Sequence, residues 1–137
     1  MAFTKNLKFQ VNGWESLKPY RIVARRGIKY AEKNTENMNR EFTDNFQQAF
    51  RLLDIGRADI CISSRLNGIL QIKNLDLENI TALEPPIEKF QLYHYIHKKN
   101  IRILPKIDSS LRSMHEEGLI EKIRNEYMAG IKTSFKK

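Results

Sequence analysis

Residues 20–33, Tyr20-Arg21-Ile22-Val23-Ala24-Arg25-Arg26-Gly27-Ile28-Lys29-Tyr30-Ala31-Glu32-Lys33, decide the fold class. Pro19 opens a short apolar run, Tyr20 to Ala24, rich enough in β-branched residues to read as a strand. Arg25-Arg26-Gly27 is a compact turn, and Ile28 to Lys33 suits the first turns of a helix. Strand, glycine turn and helix together are the repeating unit of an α/β fold, in which helices join strands that run mainly parallel.

The same grammar continues toward the C-terminus. Asp44 is the expected N-cap of a helix whose Phe46, Ala49, Phe50 and Leu53 fall on one apolar stripe, with Gly56 just past its end. Ala58 to Ser63 reads as a second strand, and Ser64 as the cap of a helix with Leu66, Ile69, Leu70 and Lys73 on one side. Ile80 to Leu83 forms a third short strand that Glu84-Pro85-Pro86 ends, because two prolines cannot continue a ladder. A boundary is expected there.

Beyond it, Phe90 to His97 alternates as a fourth strand, with Leu92, His94 and Ile96 on one face. Two helices follow. Pro105 to Glu117 places Ile107, Leu111 and Met114 inward and closes at Gly118, and the second carries Ile120, Ile123 and Tyr127. Before the first strand, Leu7 to Leu17 reads as an extended lead-in that ends in the turn Asn12-Gly13 and the aromatic anchor Trp14. The domain reading is a crossover segment over 1–12, an α/β body over 13–87, a strand and helices over 88–130, and a loose tail over 131–137.

A chain of 137 residues with 41% hydrophobic content is long and apolar enough to build one core. Its net charge of +8 is spread evenly: residues 1–83 carry 13 Lys or Arg against 9 acids, and residues 84–137 carry 11 against 7. A nucleic-acid-binding module concentrates its charge on one helix or arm, so nucleic acid is not the expected partner. No apolar run approaches the roughly 20 residues that cross a bilayer, and Met1 to Asn6 lacks the apolar core of a secretory signal. Cys61, the one cysteine, lies in an apolar run and reads as a small buried hydrophobe. His94 and His97 point to opposite faces of a strand, so no metal or other cofactor is expected. No nucleophile, base and oxyanion set assembles, so the chain is not expected to be an enzyme.

The order of motifs resembles the second lobe of the extracellular solute-binding proteins of the polar amino-acid ABC-transporter type. The resemblance is carried by Trp14-Glu15-Ser16-Leu17 leading through Pro19-Tyr20-Arg21-Ile22-Val23 into Arg26-Gly27, then by Phe50-Arg51-Leu52-Leu53 and Gly56-Arg57-Ala58-Asp59. Tyr93 to Lys99, Met114 to Gly118 and Ile120 to Tyr127 are similar to that family's return strand and terminal helices. It implies a periplasmic-binding-protein type II-like lobe whose first lobe is largely missing, with Phe3 to Phe9 as the end of a crossover strand. It further implies a periplasmic, non-enzymatic module that serves an importer or a sensor by clamping a small solute between lobes.

Ligands of such sheets bind outside the strand C-termini. Two turns sit there, Arg25-Arg26-Gly27-Ile28-Lys29 and Ser63-Ser64-Arg65. In the first, backbone N–H groups at a helix start and three cations favour a carboxylate or other anion, although a solvated basic turn explains the same residues. In the second, the resemblance places at Ser64 the position where amino-acid binders carry an acid for the ligand's ammonium group. A serine supplies no counter-charge, so α-amino acids are not the expected ligands. Ser64 reads equally as a plain N-cap. The rival readings are an assembly piece, for instance a domain-swapped homodimer, and a basic nucleic-acid binder.

Overall fold

The computed structural model of the protein describes residues 1–91 and 93–133. The chain divides after Phe90 into two compact units. The first holds β1 (Ala2–Thr4), β2 (Ile22–Arg25), α1 (Lys29–Asn34), β3 (Arg40–Thr43), α2 (Phe46–Asp54), β4 (Ile60–Ile62), α3 (Arg65–Asn74) and β5 (Thr81–Ala82). The five strands form one sheet in the order β3-β2-β4-β1-β5. β2 runs parallel to β3 and β4, whereas β1 is antiparallel to β4 and β5. The fold is thus an α/β lobe with a mixed sheet, parallel where the two expected turns emerge.

The central strands are buried on both faces, which is why they read as continuous apolar runs. Ala2, Ile22, Ala24, Ile60 and Ile62 point into one core with Val11, Leu17, Ala31 and Ile87. Their alternates Phe3, Val23 and Cys61 point into a second core with Ala49, Phe50 and Leu53 of α2. Each Val, Leu, Ile or Phe among them contributes roughly 1.5–3 kcal/mol when fully buried. Cys61 is fully buried, and burial pushes its thiol pKa far up, so it packs as a hydrophobe.

Several local expectations change in detail. The cap of α2 is Asn45, whose side chain accepts a hydrogen bond from the Gln48 N–H, because Asp44 is drawn aside to Arg26. Past its end, Gly56 (φ +75°) closes a Schellman motif, with Arg57 N–H donating to the Leu52 carbonyl. α3 does not bury Leu66, Ile69 and Leu70. Gly68 is its one buried residue, and Ile72 and Leu75 pack on the second core, because the Phe3 ring lies where a side chain at 68 would project. Trp14 is the anchor expected of it: its indole N–H donates to Glu88 Oε2 at 2.9 Å and its ring meets Tyr30 edge-on.

The second unit contains a 3-10 turn over Lys98–Ile103, then α4 (Leu104–Glu116) and α5 (Leu119–Thr133), separated by Gly118 at φ +70°. The expected strand over 90–97 is not formed: the described residues of that stretch are irregular, and Tyr93 and Tyr95 are 68% and 92% exposed. A period-2 pattern makes a strand only beside another strand, and no other strand lies among the described residues of this unit. Leu92, assigned to one face of it, lies outside the described residues. His97 instead caps the 3-10 turn, accepting the Lys99 N–H at Nδ1. Nor do the apolar stripes of α4 and α5 point inward. Leu111, Ile123 and Tyr127 are exposed, and Ile107 and Met114 are only partly covered. Helix α5 continues through Thr133, past the expected start of a loose tail, and residues 134–137 of that tail lie outside the described residues. No helix among the described residues is long and apolar enough to cross a membrane.

Candidate functional site

The two turns lie side by side. Ala24 of β2 is in register with Ile62 of β4, so the segments that leave these parallel strands, 25–29 and 63–65, emerge together at one end of the sheet. The other end is tied off by Asp59. Its carboxylate accepts from Arg21 Nε at 3.0 Å and Nη2 at 2.7 Å, which lowers its pKa, so Asp59 is structural and remote from the turns.

Within the first turn the backbone donors are largely committed. Arg26 N–H donates to the Thr43 carbonyl at 2.7 Å, Ile28 N–H to Arg25, and Gly27 N–H to Glu32 Oε1 at 2.7 Å. Gly27 sits at φ +86°, a conformation that favours glycine. Glu32 also takes the Lys29 ammonium on its other oxygen at 2.9 Å, and Lys29 first, then the Gly27 N–H, hold its carboxyl below the usual carboxylate range. The open row of N–H groups read from the sequence is therefore closed by an internal carboxylate. Glu32 lies in the short helix α1, five positions after the glycine, close enough for its side chain to reach back to the turn.

The remaining cations are also engaged. Arg26 Nε lies 3.4 Å from Asp44 Oδ1, and the Arg25 guanidinium stacks over the Phe46 ring at 5.6 Å. In the second turn Ser63 is buried, with its Oγ accepting from Asn67 Nδ2 at 2.8 Å. Ser64 Oγ accepts from the Asn67 N–H, which is the cap role. Arg65, the first residue of α3, meets Glu84 at 2.5 Å. Glu84 did not figure among the expected site residues, because its proximity to Arg65 depends on β5 pairing with β1 and β1 with β4. The α-amino group of Met1 lies near this pair. Its pKa is pushed down mainly by burial and then by Arg65, while Glu84 pulls it up.

No family model matches the chain. It is 29% identical to an uncharacterized protein of Shewanella oneidensis over 94% of this chain and 52% of that one. Among solved structures it is similar to the P235GK mutant of ArgBP from T. maritima (TM-score 0.72, 17% identity, 93% of this chain and 56% of that one). It is also similar to an ancestral arginine-binding protein bound to arginine (TM-score 0.68, 22% identity, 91% and 57%). A histidine kinase sensor domain with similarity to periplasmic binding proteins matches with TM-score 0.66 and 22% identity over 91% and 56%. At these identities the likeness establishes the fold, a periplasmic-binding-protein-like lobe. The chain spans little more than half the length of each of these proteins.

Proposed function

We propose that the chain is a non-enzymatic solute-binding module, in which Arg25 to Lys29 and Ser63 to Arg65 form one wall of a cleft for a small carboxylate-bearing solute. The observation that carries the reading is the emergence of both turns from neighbouring parallel strands at one sheet end. That is where ligands of open α/β sheets bind. Its fold neighbours include an arginine-binding protein and a kinase sensor domain, which supports a role as the receptor of an importer or as an extracytoplasmic, periplasmic sensor. A second wall supplied by polypeptide outside these 137 residues completes the clamp.

Thermal melts of the purified chain in a panel of small carboxylic and amino acids test the reading. At least one member raises the melting temperature in a concentration-dependent way, as mass action requires of a native-state ligand. A flat response across the panel contradicts it. A second reading, an assembly module, draws on the exposed apolar side chains of residues 93–127; a monomeric mass in solution counts against that one.

A further inference from the structure

We propose that the outer edge of β3 is an interaction surface for a second copy of this chain: two β3 strands pair antiparallel about a two-fold axis at Phe42 and join two five-stranded sheets into one. Neither the solute-binding reading nor the exposed helices of the second unit enter into it.

The edge is open because β3 has a neighbouring strand on one side only. Ile22 N–H donates to the Asn39 carbonyl at 2.8 Å and Arg26 N–H to the Thr43 carbonyl at 2.7 Å. Ile22 is in register with Arg40, so the backbone of Asn39, Glu41 and Thr43 faces β2 and that of Arg40 and Phe42 faces outward. No hydrogen bond among the described residues occupies the Phe42 N–H or either backbone group of Arg40. Two exposed side chains lie across the rest of the edge. Arg26 Nη2 reaches the Phe42 carbonyl at 3.5 Å, and Gln48 Oε1 accepts the Asp44 N–H at 3.2 Å. Both bonds are long, and an incoming strand exchanges each for a backbone bond at little cost.

Charge selects the register. Outward residues must oppose outward residues, and a two-fold axis at Arg40 or Glu41 sets like charges face to face. An axis at Thr43 leaves most of the strand unpaired. With the axis at Phe42, the two half-buried Phe42 rings meet, Arg40 opposes the second copy's Asp44, and Thr43 opposes the second copy's Glu41. Glu41 is in register with Val23, on the face of the sheet that α2 covers. There Glu41 and Arg51 flank a groove of about 380 Å³ between β3 and α2. Both side chains are exposed, and neither has an ion pair or hydrogen bond among the described residues. Gln48 is tied to Asp44 at the end of the strand, and Arg51 lies about 4.5 Å further along α2, level with the middle of the strand. The second copy's Glu41, seated beside Thr43, comes within reach of that guanidinium. The two-fold axis repeats the contact on the other side. The charges that bar indiscriminate pairing of this edge therefore admit one register.

The interface is small, so the dimer is weak, with a dissociation constant on the order of 10⁻⁴ M. Sedimentation equilibrium of the full chain up to about 1 mM measures it in about 0.15 M salt, where a screening length of about 8 Å mutes repulsion between two chains and spares contact pairs. Amide hydrogen exchange on the same samples follows the register. At about 1 mM roughly a fifth of the chain stays monomeric, so exchange of the Phe42 N–H slows about fivefold from its dilute rate. Glu41 N–H, already in the ladder with β2, keeps its rate. Glu41→Arg and Arg51→Glu each weaken the dimer about tenfold or more, because like charges then meet, and the double variant returns to within about threefold of the wild type. A wild type that stays monomeric across the series, a dimer that both single variants leave unchanged, or a double variant no better than the singles overturns the proposal. A dimer without protection of Phe42 overturns it as well and assigns the contact to another surface.

Discussion

Arg21 and Asp59 lock the amino-terminal ends of β2 and β4 together through both side chain and backbone. The Arg21 backbone N–H donates to Asp59 Oδ2 at 2.8 Å, while the N–H groups of Asp59 and Ile60 donate to the Arg21 carbonyl at 2.9 and 3.1 Å. Arg21 Nη2 further donates to the Gly56 carbonyl. The Gly56-Arg57-Ala58-Asp59 element is therefore a clamp that sets the spacing and register of two parallel strands. The two candidate turns stand at the far end of those strands.

Asp59→Ala is expected to lower stability by about 1–2 kcal/mol, the range of hydrogen bonds to a charged acceptor discounted for partial exposure. Denaturant unfolding checks the value. Because the Arg21 guanidinium lowers the Asp59 pKa below its ordinary 3.8, this contribution is fully present above pH 3.8 and is lost as pH falls through the lower folded value. Wild type and variant therefore draw together as pH falls below 3.8, and a difference that does not shrink with acidification contradicts the assignment.

Gly68→Ala is expected to cost about 2–3 kcal/mol or more. A Cβ at 68 would stand 2.0 Å from Phe3 Cζ, and that ring is fully buried and packed edge-on against Phe50 at 5.4 Å, so it has nowhere to turn. The companion change Phe3→Leu in the Gly68→Ala background recovers part of the loss in the same unfolding assay. Recovery by neither volume nor shape would place the cost elsewhere.

The core of the α/β unit was legible in sequence because its central strands are short, apolar and bounded by Gly or Pro, and because Gly56 and Ser64 sit at helix ends; the cap of α2 falls on Asn45, one residue after the Asp44 that the sequence suggested. β3 was not legible. Arg40-Glu41-Phe42-Thr43 is an edge strand, and its charged residues are what such an edge requires, yet they erase the strand pattern. The two turns were located correctly by strand polarity, but their electrostatics were not. Glu32, Asp44 and Glu84 are ordinary surface acids in sequence, and only the folded chain shows that each answers a cation. Residues 90–97 alternate like a strand, but no partner strand lies among the described residues of that unit.

Glu32→Gln tests the internal carboxylate. Loss of the charge frees the Gly27 N–H and the Lys29 ammonium, so affinity for a monocarboxylate such as propionate is expected to rise by about two- to fivefold, the scale of a charge at a helix start. Calorimetric titration reads it. Unchanged affinity would mean that the first turn receives no carboxylate.

The second unit has no buried residue among those described, so its helices lack a core of their own. Truncation after Phe90 is expected to leave the cooperative melt of the first unit within a few degrees of the full chain, and hydrogen exchange of α4 and α5 to be far faster than that of β2 and β4. Melting and exchange experiments on both chains check this directly.

The most direct test of the central claim maps backbone amide shifts while the wider panel of small carboxylic and amino acids is titrated into the chain. Any binding ligand is expected to move Gly27 to Lys29 and Ser63 to Arg65 together and to leave Gly56 to Asp59, at the clamped end, unmoved. Shifts centred on the Asp59 end, or no saturable shifts from any member of the panel, would contradict it.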